Sequence, residues 1–263
     1  MQRSLPLYFW TDQKNFGDEL SSSVVEWLSG FPVRSQRSGR LPRLFAVGSI
    51  LEKARNGDVA WGAGIHPVFY DKFWTRANFG WKKRLFYRVR PYQVATLAVR
   101  GPLTRDALLF RGAECPEVFG DPGILLPLIY PKQHNPIRKV GLIPHYSDKA
   151  WFQQRGIEFI DVAQRWQQVV DRIMESELVI STSLHGIIVA EAYGVPAIWL
   201  RKPSSEGFMK YADYYLGSNR VPCPVYSYEE ALKKRAAPPP DFSEQRTNLM
   251  AAFDKKIIEG LLS

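Results

Sequence analysis

Cysteine is scarce in this chain, with two residues in 263, Cys115 and Cys223. Two thiols make no disulfide framework, so a secreted disulfide scaffold is excluded and a mostly reduced, cytoplasmic setting is expected. Long apolar runs are also missing. The stretch from Leu5 to Trp10 is too short for the apolar core of a secretion signal and runs directly into Thr-Asp-Gln-Lys-Asn. No run of about 18 apolar residues exists, so no membrane-spanning helix is expected. Metal-ligand spacing and internal repeats are absent as well. Acidic residues fall short of basic ones, 26 against 35, leaving a net charge of +9. That excess favours anionic partners: phosphorylated metabolites, nucleic acid or an acidic membrane face.

An apolar fraction of 45%, punctuated by turn residues, indicates a globular protein with one large core or two modest ones. Strand and helix patterns alternate along it, which predicts an α/β fold with parallel sheets. Leu5 to Trp10 reads as a first buried strand. Glu19 to Leu28 follows as a helix, with Leu20, Val24, Trp27 and Leu28 at helical spacing and Asp18 as its N-cap. The loop between them, Asn15-x-Gly17-Asp18, is either a ligand loop or a plain capped turn. Two short apolar runs, at Leu44 and Val59, end in small residues. Val94 to Val99 is a strand that delivers Arg100 to the start of a helix opened by Pro102. An arginine there is placed for bidentate contact with a carboxylate or phosphate. Gly120-Asp121-Pro122-Gly123 reads as a tight turn.

Residues 66 to 92 differ in character. Aromatic side chains interleave with Lys72, Arg76, Lys82, Lys83, Arg84, Arg88 and Arg90. An interfacial surface on anionic lipid would use this composition, each basic residue contributing roughly 1 kcal/mol. Single-stranded nucleic acid would draw on it too, and so would a solvated insertion whose rings pack on the domain.

A polar, proline-bounded stretch at 131 to 138 separates an N-terminal unit, 1–136, from a C-terminal unit, 137–263. In the second, Val140 to Ile143 and Ile157 to Ile160 read as strands, 148 to 155 and Val162 to Met174 as helices, and Glu244 to Leu262 as a terminal helix docking across both units. The densest signal is residues 177 to 200. An apolar strand stops at Ser181-Thr182-Ser183, an amphipathic helix carries His185 in its first turn, Gly194 caps it, and Pro196 opens another strand. Free N–H groups at such a helix start bind anions. His185 there is either a proton carrier or a core histidine satisfied by a neighbour.

Six stretches in order resemble the polysaccharide pyruvyltransferase family: Asn15 to Leu20, Val99 to Pro102 with Arg105-Asp106, Gly120 to Pro122, Ile143 to His145, Ser181 to Gly186, and Phe208 to Lys210 with Asp213 to Tyr215. The resemblance implies two Rossmann-like domains in a B-type glycosyltransferase-like arrangement with a central cleft. It implies transfer of the enolpyruvyl group of phosphoenolpyruvate (PEP) onto two sugar hydroxyls, such as those of a terminal mannose on a lipid-linked exopolysaccharide repeat. It assigns Arg100 and His185 to catalysis and Ser183, Leu184, Lys202 and Lys210 to the donor. Asn15, Asp18 and His145 fall to the acceptor. Ser183 stands where some relatives carry an arginine, so that contact passes to Arg201, Lys202 or Lys210. Trp81, Lys82, Lys83 and Arg84 would face the anionic inner leaflet of a bacterial membrane, peripherally. No cofactor, metal or nucleic acid is expected. A glycosyltransferase of the same architecture, using a nucleotide sugar, and a non-enzymatic anion-, lipid- or nucleic-acid-binding module are the rival expectations.

Overall fold

A computed structural model describes residues 3–39, 41–66, 93–202 and 207–262. The basic-aromatic stretch beyond His66, with Trp81, Lys82, Lys83 and Arg84, lies outside the described residues.

The chain forms a mixed α/β structure with two parallel sheets. In the first, β1 (Leu5–Tyr8), β2 (Val33–Ser35), β3 (Leu44–Phe45), β4 (Val59–Trp61) and β5 (Ala95–Ala98) lie in the order β2-β1-β3-β4-β5. Leu5 pairs with Val33 on one side of β1 and Leu7 with Leu44 on the other. Every residue of β1 and β4 is buried, as expected of strands covered on both faces. The order reverses between β1 and β3, and doubly wound sheets open a crevice at the carboxyl ends of such a pair. The second sheet runs β6 (Arg138–Ile143), β7 (Ser176–Ser181) and β8 (Ala197–Trp199), with Ile143 beside Ser181 and Ser181 beside Trp199.

Helix α1 (Phe16–Ser29) begins three residues earlier than the sequence pattern suggests. Its cap is Asn15, not Asp18: the Asn15 side chain accepts from Gly17 N–H at 3.2 Å, and Asp18 therefore sits inside the first turn. Helix α2 (Pro102–Phe110) opens on Pro102 as expected. A 3₁₀ turn, Pro122–Leu125, leads into α3 (Leu126–Ile129). In the second half come α4 (Lys149–Gln153), α5 (Trp166–Met174), α6 (Leu184–Ala192), α7 (Phe208–Gly217), α8 (Tyr228–Lys233), α9 (Ser243–Ala252) and α10 (Lys255–Glu259).

Three expectations change. Ile157–Ile160 is not a strand; the bond from Ile160 N–H to Leu142 O is not continued into a ladder. Helix α6 is buried at all nine positions, so it is an internal helix, not an amphipathic one. The terminal helix is two helices, broken where Asp254 caps α10 through Lys256 N–H and Ile257 N–H.

One apolar cluster joins both halves: Leu5, Leu7, Phe16 and Leu20 pack in the same core as Ile143, Val169, Ile187 and Ile188. Each such side chain contributes about 1.5–3 kcal/mol on full burial. The terminal segment ties the halves further. Trp61 Nε1 donates to Leu249 O at 2.8 Å, and Arg246 donates to Ile124 O at 2.8 Å and Ala192 O at 2.7 Å.

Candidate active site

The segments that follow β1, β3, β4, β6 and β7 line one cavity of about 340 Å³. Trp10, Asn15 and Asp18 come from the first. Gly48, Ser49, Ile50, Glu52 and Lys53 follow β3, and His66 follows β4. The second sheet supplies His145, Tyr146, Ser183, Leu184 and His185, and α7 adds Lys210. Strand ends of both halves thus meet at one place, which includes the switch point of the first sheet. Gly48 takes φ 111°, and its carbonyl accepts from Gly64 N–H at 2.9 Å, beside the parallel bridge of Ser49 to Gly64.

The hydroxyl cluster between β7 and α6 works differently from a set of caps. Ser181 Oγ accepts from Ser183 N–H at 2.9 Å and lies 2.8 Å from Ile143 O, while Thr182 Oγ1 accepts from His145 N–H at 2.8 Å. Ser183 is the N-cap of α6, but its side chain makes no capping bond. Two hydroxyls therefore lock β6 to β7, and the first turn of α6 keeps its N–H groups without a side-chain cap.

His185, in that turn, is 8% exposed. Its ring lies against the first turn of α1: a Cβ built on Gly17 would come within 2.1 Å of Nδ1. The glycine is required by this contact, since any side chain at position 17 would displace the imidazole. Nε2 is enclosed, has no hydrogen-bond partner and sits 3.7 Å from Asp121 Oδ2.

Burial, more than any neighbouring charge, shifts the titratable groups around the cavity toward neutrality. Burial lifts the Asp18 carboxyl to about 6, with His185 and Lys210 opposing. Burial, reinforced by Arg100, lowers the Lys210 ammonium to about 7 against the pull of Asp18 and Asp148. His145 is driven down to about 3 by burial and by the nearby Lys210 and His185. Its Nδ1 lies 2.8 Å from Ser147 Oγ and accepts from Ser147 N–H at 3.4 Å. His66 is lowered, first by burial and then by Lys210, Lys53 and Arg100, and burial raises Glu52. A cavity carrying an acid near 6 and an amine near 7 is suited to proton transfer and to holding an anion.

Not every expected residue meets there. Asn15, Asp18, His145, Ser183, Leu184, His185 and Lys210 do. Arg100 stands one layer behind: Nε donates to Asp213 Oδ2 at 3.1 Å and a terminal nitrogen to Ser49 Oγ at 2.6 Å, with Ser49 forming the wall. Asp213 is held in addition by Thr104 N–H at 2.9 Å and Thr104 Oγ1 at 2.6 Å. Lys202 is elsewhere, in a second cavity of about 120 Å³ with its ammonium over the Trp151 ring; the bridge of Leu200 to Val225 carries that segment away from the first cavity. Arg201 lies over Phe208, at 5.4 Å from the ring centre. Asp121, Glu52 and His66 are not among the site residues expected from sequence. Asp121 alone had a signal, its place in Gly120-Asp121-Pro122, a stretch that resembles the family and reads locally as a turn. Among the described residues no group of three or more His, Cys, Asp or Glu side chains could hold a metal ion. Nor is any described helix long and apolar enough to cross a membrane.

The chain is similar to several known proteins. The family profile described as polysaccharide pyruvyl transferase matches residues 15–201. The succinoglycan biosynthesis protein ExoV of Rhizobium meliloti (strain 1021) is 28% identical over 245 residues, covering 87% of this chain and 71% of ExoV. An uncharacterized protein of Acanthamoeba polyphaga mimivirus is 35% identical over 94 residues, which span 31% of this chain and only 32% of the viral protein. A crystal structure of a functionally uncharacterized protein from Klebsiella pneumoniae subsp. pneumoniae shares the fold, with a TM-score of 0.52 at 14% identity over 85% of this chain and 93% of that one.

Proposed function

Because the chain belongs to the polysaccharide pyruvyl transferase family, we propose that the cavity moves the enolpyruvyl group of PEP onto two hydroxyls of a polysaccharide sugar, forming a pyruvate ketal and releasing phosphate. The observation that carries the proposal is the convergence of Asp18, His185 and Lys210, from three separate elements, on one cavity at the facing strand ends. We take the two parallel sheets as the cores of two Rossmann-like units, 1–136 and 137–263, set as in B-type glycosyltransferases.

The donor carries a carboxylate and a phosphate, and the site offers Lys210, Lys53 and the open first turn of α6 at Ser183 and Leu184 to hold them. His185 gives a proton to the methylene carbon, which leaves positive charge on the central carbon. A sugar hydroxyl attacks there and loses its proton; the carbon–oxygen bond to phosphate breaks; the second hydroxyl closes the ketal. One hydroxyl proton in balance resides on the new methyl group and the other on the phosphate. Asp18, beside Asn15 and His145, takes the acceptor's proton. The test is phosphate release from PEP that depends on an added glycan acceptor.

Asp18 and Lys210 both contribute to the expected pH profile of kcat/KM, beside the acid His185. Asp18 acts as a base only when deprotonated, so activity rises as pH passes about 6. Lys210 binds the anion only when protonated, so activity falls as pH passes about 7. A narrow bell results, reporting the free enzyme. In Lys210→Arg, whose guanidinium stays charged throughout, the part of the alkaline fall contributed by position 210 leaves the neutral range. An unchanged alkaline limb in that variant would remove Lys210 from this role.

The acceptor is proposed to be a lipid-linked saccharide met at an anionic membrane face through the segment carrying Trp81, Lys82, Lys83 and Arg84. Reversing the three charges to Glu is expected to weaken sedimentation with phosphatidylserine vesicles by at least about 100-fold, from roughly 1 kcal/mol per basic residue, and to leave turnover on a soluble acceptor intact. Unchanged partitioning would place the membrane contact elsewhere.

A further inference from the structure

Asp121 is completely buried, yet only one of its carboxyl oxygens is used by the fold. Oδ1 accepts from Gly123 N–H at 2.9 Å and closes the turn at Pro122–Leu125. Oδ2 is enclosed without a hydrogen-bond partner. The side chain it faces, 3.7 Å away, is the imidazole of His185, whose Nε2 is likewise enclosed and without a partner. Two unpartnered polar atoms pointing at one another inside a protein are costly unless they serve each other. The gap exceeds a hydrogen bond by less than 1 Å, a looseness common around catalytic groups before substrate binds.

We propose that Asp121 is the positioning residue of His185: it fixes the proton on Nε2 and so presents Nδ1 to the cavity as the nitrogen that accepts and delivers protons. This rests on the assignment of His185 to the pyruvyl transfer chemistry. A carboxylate can only accept, so the nitrogen opposite it must carry hydrogen. With Nε2 enclosed, exchange with the cavity that the His185 side chain lines passes through the other ring nitrogen, Nδ1. Once Nδ1 is protonated, the buried carboxylate balances the imidazolium charge. A third group that orients a base and sets its tautomer is a recurring device in proton-transfer sites. The turn motif thus does two jobs, since the same carboxylate that closes it aims the histidine.

The test uses the full chain with PEP and a glycan acceptor. Asp121→Asn preserves the acceptor for Gly123 N–H but can turn an amide N–H toward Nε2, which forces the proton onto Nδ1. Its kcat is expected to fall about 100-fold with the KM for PEP changed by less than about threefold. In a His185→Ala background the same substitution should cause no further loss, because it acts through the ring. Nitrogen-15 spectra of histidine-labelled wild-type protein, with His185 assigned by its loss in His185→Ala, should show the proton on Nε2. A proton on Nδ1 in the wild type, or an equal fall in both backgrounds, would overturn the proposal. Full activity in Asp121→Asn beside an inactive His185→Ala would remove Asp121 while leaving the histidine's role standing. Normal turnover in His185→Ala would remove both. The wild-type spectrum decides the point independently of how well Asp121→Asn folds.

Discussion

His185→Ala is expected to lower kcat by about 10²–10⁴-fold, the usual contribution of a positioned acid or base, while the protein remains folded. The side chain lines the cavity and Nε2 forms no hydrogen bond, so its removal breaks no buried bond at that atom. The apolar surroundings of α6 are supplied by its neighbours Leu184, Ile187 and Ile188. Turnover and a thermal melt, measured on one preparation, separate the two effects. Near-normal kcat in the variant would show that the proton travels through another group, with Asp18 and Lys210 the alternatives in the same cavity.

Arg100→Ala is expected to cost about 3–5 kcal/mol of stability, because it strips a buried carboxylate of its cation. Arg100 and Asp213 are both shielded from solvent, and Thr104 would be left holding an uncompensated charge. A loss of that size is a large part of a domain's net stability. Arg100→Met paired with Asp213→Asn should recover much of it, since the amide oxygen still accepts from Thr104 and no lone charge remains. Urea unfolding of the wild type and these two variants makes the comparison. A fully stable but inactive Arg100→Ala would instead place the guanidinium on the donor. Its bond to Ser49 Oγ makes a weaker form of that link, in which Arg100 shapes the wall without touching what binds there.

Much of this architecture is written locally in the chain. The strand, helix and strand of 177–200 lie where the pattern puts them, Gly194 takes the left-handed conformation at φ 79° beyond α6, and Pro102 opens α2. Sequence pattern and structure part where two residues offer the same chemistry. Asn15 and Asp18 are both good caps, and only the backbone path selects the first. Lys202 and Lys210 are both cations after β8, eight positions apart. Which one returns to the cavity depends on α7 packing against α2, a tertiary contact that linear order does not encode. Arg100 reads as a ligand arginine at a strand end because its partner, Asp213, lies 113 residues away. Asp121 hides in a turn that satisfies half of it. The cavity's electrostatics were the least legible part, since the shifts at Asp18, Lys210 and His145 all begin with burial.

Family membership and cavity chemistry meet in a single incubation. Purified protein, PEP and lipid-linked or released glycans are mixed, with a nucleotide-sugar donor in a parallel tube, and the glycans are weighed by mass spectrometry. Pyruvyl transfer predicts a glycan heavier by one pyruvate ketal, phosphate released in equal amount, and both products formed at least about 100-fold more slowly with His185→Ala. Glycan extension with release of a nucleoside diphosphate in the parallel tube, and no ketal from PEP, would contradict it.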